Sequence, residues 1–304
     1  MAGAEAGAGA GWPVGRAMAE VAGAADAGSL VVGVIGSPIA QSLSPTLHRA
    51  AFEALGLAGM SVAFEVPAGQ AAAALEAMRA SGLRGLSVTM PLKSEVAGLV
   101  DTASVAAGRL DAVNCVVNEG GVLHGTNTDG EGFVAALARG AGFAVAGRRC
   151  LVAGAGGAAR AVVVALAEAG ASEVAVLNRT AVRAAEAAAL AGGAGRVVSA
   201  GDAGEVAARA DLVVNATSVG MVSQPGGDDD WPVSPRWLHS GQVVADLIYV
   251  PRPTRWLAAA AETGATTVDG LGMLVHQAAA QITLWTGQPA PVDAMWRSVG
   301  GGRS

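Results

Sequence analysis

Short apolar runs alternate along the chain with longer segments in which apolar residues recur at helical spacing. The first run, Leu30-Val-Val-Gly-Val-Ile35, is bounded by glycine and by Gly36-Ser37-Pro38, which is typical of a buried strand. Ser44-Pro45 has the residue types favoured at a helix start and predicts a helix over 46–55. The same pattern predicts further strands over 61–66, 85–89, 149–153, 173–177, 212–215 and 243–247, and helices over 68–80, 129–139, 158–169 and from about residue 93. This alternation predicts βαβ units and mainly parallel sheets.

A hairpin interrupts the alternation. Apolar runs at residues 113–117 and 122–124 flank the glycine-rich turn Asn118-Glu-Gly-Gly121, so we expect an antiparallel addition to the first sheet. A second alternating series begins at residue 149. We therefore predict an α/β protein of two lobes, joined near residues 127–132 and again near residues 269–272.

Composition and charge exclude several classes of function. A net charge of −6, with only 14% charged residues, leaves no basic surface for nucleic acid and no polybasic patch for a membrane. The chain contains no run of 18 apolar residues, the length that a helix needs to span a bilayer. The two cysteines exclude a disulfide scaffold and are typical of a reducing compartment, so we predict a cytoplasmic protein. Residues 1–28 are rich in alanine and glycine, lack a signal peptide's apolar stretch, and predict a disordered extension.

We predict no metal site. The cysteines do not have zinc-ligand spacing. Three adjacent aspartates in Pro225-Gly-Gly-Asp-Asp-Asp230 offer carboxylates, but a cation site needs ligands that converge, which a glycine-flanked run does not supply. We interpret this segment as a solvated loop.

A glycine-rich turn between a predicted strand and a predicted helix indicates a nucleotide site. Gly154-Ala-Gly-Gly-Ala-Ala159 permits a tight turn and a close approach to pyrophosphate at the helix N-terminus. At the end of the next strand, an NAD site would place Asp or Glu for the ribose hydroxyls. The chain has Asn178-Arg179-Thr180 and Arg183 instead, and two guanidiniums with a hydroxyl suit a 2′-phosphate. Surface arginines without a ligand would oppose the helix dipole there, so we predict NADP.

Polar side chains cluster where the strands of the first lobe are predicted to end. They are Ser42 and Ser44, Thr89 with Lys93, Asn114, and Asp129 where the lobes join. Ligands of open α/β sheets bind at this edge, and hydroxyl, amide, ammonium and carboxylate groups suit a small polyhydroxylated acid. Each has a structural alternative, since Ser44 or Asp129 could cap a helix and Asn114 could serve a turn. Lys93 is the only lysine and Tyr249 the only tyrosine of the chain.

The motifs together resemble those of one family. In order they are Gly36-Ser-Pro-Ile-Ala-Gln-Ser-Leu-Ser-Pro-Thr-Leu-His48, Ser87-Val-Thr-Met-Pro-Leu-Lys93, Ala112-Val-Asn114, Asn127-Thr-Asp-Gly130, Gly154-Ala-Gly-Gly-Ala-Ala-Arg160, Asn178-Arg-Thr180, Asn215-Ala-Thr-Ser218 and Asp269-Gly-Leu-Gly-Met-Leu-Val-His-Gln277. Over residues 30–290 the chain resembles shikimate dehydrogenases. Three positions depart from the usual pattern: Gln41 stands where the family usually has His, and Asp111 and Cys115 where Gly and Thr are common.

The resemblance implies a role for each matching residue. It implies that Ser42 and Ser44 hold the substrate carboxylate, and that Lys93 and Asp129 form the catalytic pair. Further substrate contacts match Thr89, Asn114, Tyr249 and Gln277. The NADP-binding positions match Gly154, Ala155, Gly156, Gly157, Ala158, Asn178, Arg179, Thr180 and Arg183, with Leu247 and Gly270 as backbone contacts near the nicotinamide. The implied lobes are residues 29–128 with 270–304 for the substrate and 129–269, Rossmann-like, for NADP.

The activity implied is the reversible NADPH-dependent reduction of 3-dehydroshikimate to shikimate, in aromatic amino-acid biosynthesis. An ammonium such as Lys93 can donate the proton that the new alkoxide needs, although whether Lys93 or Asp129 transfers it stays open. Alternatives are a quinate/shikimate dehydrogenase, an aminoshikimate-pathway dehydrogenase, or a sensor that binds NADP and shikimate without catalysis. A folate-linked dehydrogenase is disfavoured because no aromatic pterin platform is visible. The expected partner is the small-molecule substrate, with a homodimer possible.

Overall fold

The computed structural model describes residues 14–26, 28–221 and 230–300. These residues divide into two compact units, one up to residue 107 with residues 111–126, the other residues 108–110 with those from 127 onward. Within the described part, no helix is long and apolar enough to cross a membrane, and no three metal-ligating side chains form a group. Of the predicted aspartate loop, only Asp230 lies within the described residues.

The first unit is built on a mixed sheet. Its strands are β1 (Leu30–Gly36), β2 (Gly59–Glu65), β3 (Gly85–Val88), β4 (Thr102–Ala103), β5 (Cys115–Glu119) and β6 (Val122–Thr126), in the spatial order β2-β1-β3-β5-β6-β4. β1 runs parallel to β2 and β3, whereas β5 is antiparallel to β3 and to β6. The β5–β6 pair is the predicted hairpin. The helices here are α1 (Val14–Ala24), α2 (Ser44–Ala54), α3 (Ala71–Ser81), α4 (Lys93–Ala97) and α5 (Val105–Leu110).

Helix α1 corrects the expectation that residues 1–28 are disordered. That prediction is wrong for residues 14–24, while residues 1–13 lie outside the described residues. Val14, Met18 and Val21 recur at helical spacing, and the first two are buried in the core that also holds Leu75 and Met78 of α3. Burying this narrow stripe offsets the entropy cost of ordering an otherwise alanine-rich segment.

The second unit contains an all-parallel sheet. Its strands are β7 (Arg149–Ala153), β8 (Glu173–Leu177), β9 (Gly195–Val198), β10 (Leu212–Asn215), β11 (Val243–Asp246) and β12 (Thr266–Val268), in the order β12-β11-β10-β7-β8-β9. All five neighbouring pairs are parallel. This is the doubly wound Rossmann order, and it reverses direction between β7 and β10, where such sheets bind ligands.

Helices of the second unit surround this sheet and pack closely. They are α6 (Asp129–Ala141), α7 (Gly157–Glu168), α8 (Ala181–Ala189), α9 (Ala203–Arg209), α10 (Arg255–Glu262), α11 (Gly270–Thr286) and α12 (Val292–Ser298). A Cβ at Gly132 of α6 would lie 2.6 Å from the Gln277 backbone nitrogen of α11, and one at Gly272 would lie 2.9 Å from Ala136 Cβ. Glycine therefore allows α6 and α11 to touch. The assignment of residues 270–304 to the substrate-binding lobe stays a prediction.

Candidate active site

The predicted substrate side chains of the first unit gather at one edge of its sheet. The amide of Thr89 donates to Ile35 O at 2.9 Å, which ties the end of β3 to the end of β1. Val88 N donates to Asn114 O at 2.8 Å, and Asn114 N donates to Thr126 O at 3.0 Å. Because β5 is antiparallel to β3, Asn114, the residue directly before β5, lies at the edge of the sheet where β1 and β3 end. Thr89 and the buried Asn114 are thus brought together by main-chain hydrogen bonds.

Lys93 belongs to the same edge. It is the first residue of α4, and its carbonyl accepts a hydrogen bond from Val113 N at 2.9 Å, next to Asn114 in sequence. The preceding Leu92 is fully buried and anchors the start of the helix. The Lys93 side chain is half-buried. The backbone that carries the ammonium is therefore fixed relative to Asn114 and Thr89.

Ser42 and Ser44 lie in and after the loop that follows β1. Glu65, at the end of β2, accepts a hydrogen bond from Ile39 N at 3.0 Å, and Ser42 N donates to Ile39 O at 3.0 Å. Ser44 N donates to Ser42 Oγ at 3.3 Å. The N-cap position of α2 is Leu43, which makes no side-chain cap, so the structural alternative of Ser44 as the capping residue does not hold. Ser44 is nonetheless buried.

Asp129 and Gln277 are brought close together in the second unit. Asp129 is buried at the start of α6, where its amide donates to Asn127 Oδ1 at 3.1 Å. The neighbouring Thr128 hydroxyl donates to Gln277 O at 3.1 Å, across the contact that Gly132 permits. Gln277 Oε1 accepts from Gln281 Nε2 at 2.9 Å. The acidic residue and the amide therefore occupy adjacent helices with fixed backbones.

The glycine-rich loop has the geometry of a phosphate-binding turn. Gly154 has φ of 117°, a region that favours glycine, and a Cβ there would lie 2.7 Å from Ala216 O. Its amide donates to Leu177 O at 2.8 Å, which fixes the turn between β7 and β8. Gly156 is the N-cap of α7, and Gly156 and Gly157 are exposed with open space around their Cβ positions. The N-terminal amides of α7 therefore face an accessible surface suited to an anion.

The residues predicted to bind the 2′-phosphate surround the N-terminus of α8. Asn178 Nδ2 donates to Thr180 O at 3.1 Å, and Thr180 is the N-cap. Arg179 and Arg183 are exposed, and neither guanidinium has an ion pair among the described residues. Cations at a helix N-terminus are unfavourable alone, so an anion bound between them would be stabilised by both groups.

Leu247 and Gly270 meet at the end of β11, and Tyr249 lies two residues after Leu247. Leu247 N donates to Asn215 O at 3.0 Å, and Gly270 N donates to Ile248 O at 3.2 Å. A Cβ at Gly270 would collide with the Leu247 carbonyl, so only glycine fits this approach. Tyr249 is half-buried, and burial raises the pKa of its phenol, which keeps it a hydrogen-bond donor.

Sequence reasoning missed two buried polar side chains beside these residues. Asp246 ends β11 and is 1% exposed, and Gln281 of α11 is fully buried and donates to Gln277. A carboxylate at the end of an otherwise apolar strand, Val243-Val-Ala-Asp246, was a signal that could have indicated the first. Nothing in the sequence pattern distinguishes Gln281 from a solvent-facing helical residue.

Comparison with known proteins gives the family. The sequence profile of the shikimate dehydrogenase substrate binding domain matches residues 34–116, that of shikimate/quinate 5-dehydrogenase matches 136–223, and that of the shikimate 5′-dehydrogenase C-terminal domain matches 270–299. Shikimate dehydrogenase (NADP+) from Moorella thermoacetica is 46% identical over 274 residues, which are 88% of this chain and 91% of that protein. The chain belongs to the shikimate dehydrogenase family.

Solved structures of family members agree with this assignment. Shikimate 5-dehydrogenase from Thermus thermophilus, solved with NADP(H) and shikimate, is 38% identical with a TM-score of 0.81, covering 89% of this chain and 98% of that one. Quinate dehydrogenase from Corynebacterium glutamicum, solved with NAD, is 32% identical with a TM-score of 0.83, covering 90% and 99%. The resemblance inferred from the motifs is confirmed, and so are the two-lobed α/β fold, the oxidoreductase class and the NADP cofactor. The roles of individual residues stay predictions.

Proposed function

We propose that this chain catalyses the reversible, NADPH-dependent reduction of 3-dehydroshikimate to shikimate. The observation that carries the proposal is the edge of the first sheet, where the chain's only lysine, Lys93, is held by main-chain hydrogen bonds beside Asn114 and Thr89. A primary ammonium, an amide and hydroxyls at one edge suit a polyhydroxylated ketone that must accept a proton.

The residues of the second unit fit NADP. Gly154 supplies the tight turn, the exposed amides of α7 suit the pyrophosphate, and Arg179 and Arg183 suit the 2′-phosphate. Leu247 and Gly270 present main-chain groups toward the nicotinamide in this proposal. When bound, NADPH supplies the hydride that reduces the ketone carbon.

This chain's own side chains then bind and protonate the substrate. Ser42 and Ser44 hold the carboxylate, while Thr89, Asn114, Tyr249 and Gln277 hydrogen-bond the ring substituents. As the carbonyl carbon gains a hydride, its oxygen gains negative charge, and Lys93 or Asp129 delivers the proton that converts it to a hydroxyl.

Absorbance at 340 nm tests this function, with shikimate or quinate crossed with NADP or NAD. Fastest turnover with shikimate and NADP is the expected result. Preference for quinate would move the assignment to the quinate branch, for which the similarity to a quinate dehydrogenase is the specific support. No turnover in any combination would favour a sensor that binds without catalysis. A homodimer and a cytoplasmic location stay predictions.

A further inference from the structure

We propose that Asp246 is a positioning residue of this site, whose carboxylate fixes the segment from Leu247 to Thr254 and thereby places Tyr249 and the Leu247 carbonyl. The inference deepens the proposed function and rests on it for the roles of Tyr249 and Leu247. Asp246 touches neither substrate nor cofactor in this proposal. It acts through the main chain and side chains that it holds.

The Asp246 carboxylate is a buried acceptor of three hydrogen bonds. Its Oδ1 accepts from Asn215 Nδ2 at 2.9 Å and from Ile248 N at 3.0 Å. Its Oδ2 accepts from the Thr254 hydroxyl at 2.7 Å. Asp246 is 1% exposed, and both Asn215 and Thr254 are fully buried. Both oxygens therefore accept hydrogen bonds, and the carboxylate cannot rotate without breaking them.

These bonds hold both ends of the segment that carries Tyr249. Ile248 directly precedes Tyr249, and Thr254 is the N-cap of α10, where its hydroxyl also accepts from Leu257 N at 3.2 Å. One carboxylate thus fixes where the segment leaves β11 and where it enters the next helix. Deleting the carboxylate would release both ends together.

Asp269 fixes the middle of the same segment. Arg252 Nε donates to Asp269 Oδ2 at 2.7 Å, while Asp269 Oδ1 accepts from Leu271 N at 3.0 Å as the N-cap of α11. This second bridge joins the segment to the helix that begins at Gly270. Tyr249 lies between the attachment at Ile248 and the attachment at Arg252, so its position follows from both.

A carboxylate is a costly choice for a buried attachment. No cationic side chain among the described residues pairs with Asp246, and a buried charge without a cation is unfavourable, whereas an asparagine of the same shape would avoid that cost. Burial raises the pKa of this carboxyl to about 6, against the three hydrogen bonds that lower it, and the charge of Asp269 raises it further. Asp269, which is itself paired with Arg252, is the charged group that acts on it. Protonation near pH 6 turns one acceptor oxygen into a donor, so the Thr254 hydroxyl must reorient.

The single tyrosine of the chain allows a direct test that does not need enzyme activity. Tyrosine labelled with ¹³C at Cζ gives one resonance in the full-length protein, which reports Tyr249 alone. We expect this resonance to shift between pH 4.5 and 8.5 with a midpoint near 6, and Asp246→Asn to abolish the step. Glu131→Gln is the control, because Glu131 is another carboxyl of the second unit whose pKa is raised by desolvation, although its side chain is more exposed than that of Asp246. A step that persists in Asp246→Asn, is absent from the wild type, or disappears in Glu131→Gln would overturn the proposal.

Kinetics separate positioning from general stabilisation. Asp246→Ala is expected to raise KM for shikimate by about tenfold, roughly the effect of losing the one hydrogen bond that Tyr249 makes to the substrate in this proposal. Asp246→Asn should stay within about threefold of wild type. In a Tyr249→Phe background, Asp246→Ala should raise KM by less than about threefold further, because the two residues act as one unit. The proposal would be contradicted if the two substitutions multiplied each other's effect on KM for shikimate in full. It would also be contradicted if Asp246→Ala and Asp246→Asn raised that KM equally. A wild type without shikimate turnover would refute the proposed function, while the resonance of Tyr249 would still decide the role of Asp246.

Discussion

The two units present functional groups in different ways. At the edge of the first sheet the groups are side chains, such as Lys93 and Asn114, carried on strand ends that main-chain hydrogen bonds hold together. In the second unit much of the predicted cofactor surface is backbone, as at the exposed Gly156 and Gly157 where α7 begins. A small polyhydroxylated acid is distinguished by the positions of its hydroxyls, which side chains read. A dinucleotide offers a pyrophosphate that any well-placed amide can bind.

Lys93→Ala tests the side-chain half of this comparison and has the largest expected effect. Turnover should fall by about 10²-fold or more, the range for a lost acid–base group, while KM for shikimate stays within about tenfold. Steady-state rates at 340 nm measure both. Lys93→Arg is the control, because it keeps the positive charge but loses a readily transferred proton, and it should be nearly as slow. Turnover close to that of the wild type in either variant would remove Lys93 from the mechanism.

Arg183→Gln tests the side-chain element of the second unit. The guanidinium is exposed and has no ion pair among the described residues, so its loss should leave the fold intact. We expect KM for NADP to rise by about tenfold, because a charge-assisted contact to phosphate is lost, with KM for NAD unchanged. Arg297→Gln, another exposed arginine, should change neither value. An equal rise for NADP and NAD would place Arg183 at the pyrophosphate instead.

Gly156→Ala tests the backbone half of the comparison. Gly156 has φ of −80°, which any residue adopts, and open space at its Cβ position, so the melting temperature should stay within about 2 °C of the wild type. A methyl group there would meet only a bound ligand, and KM for NADP should rise by roughly fivefold to tenfold. Calorimetry measures the melting temperature, and steady-state kinetics measure KM for NADP. An unchanged KM would mean that the pyrophosphate does not approach this part of the loop.

The sequence predicted features that depend on local pattern and missed those that depend on distant residues. A local pattern of strand end and helix start identifies Lys93, the glycine-rich loop, and Arg179 with Arg183. Strands β9 and β12 escaped prediction because they are short edge strands with two exposed residues each, so no apolar run marks them. Helix α1 was not predicted because its segment is rich in alanine and glycine, so the few larger apolar residues do not form a clear pattern. The role of Asp246 depends on Asn215, which is 31 residues away, and no local pattern indicates that contact.

The smallest effect is expected at Asp111. This residue lies in the first unit, where side chains are predicted to bind the ligand, but its own role is predicted to be in the backbone conformation. Among the described residues it is the one non-glycine with positive φ, at 49°, and it stands where the family commonly has glycine. Aspartate tolerates this conformation, so Asp111→Gly should change the free energy of unfolding by about 0.5 kcal/mol or less, whereas Asp111→Val should lose about 1–2 kcal/mol. Urea unfolding measures both.

The kinetics of Asp111→Gly then decide whether this departure concerns only the backbone. Asp111 lies three residues before Asn114, so a conformational role predicts KM for shikimate and for quinate within about twofold of wild type, with stability as the only change. If KM for one of the two acids moved by tenfold while the urea midpoint stayed constant, the Asp111 carboxylate would be acting on the ligand. The first unit would then discriminate between the acids with a charge at a position where the motif it resembles commonly has glycine. The contrast between side-chain recognition and backbone recognition would become sharper.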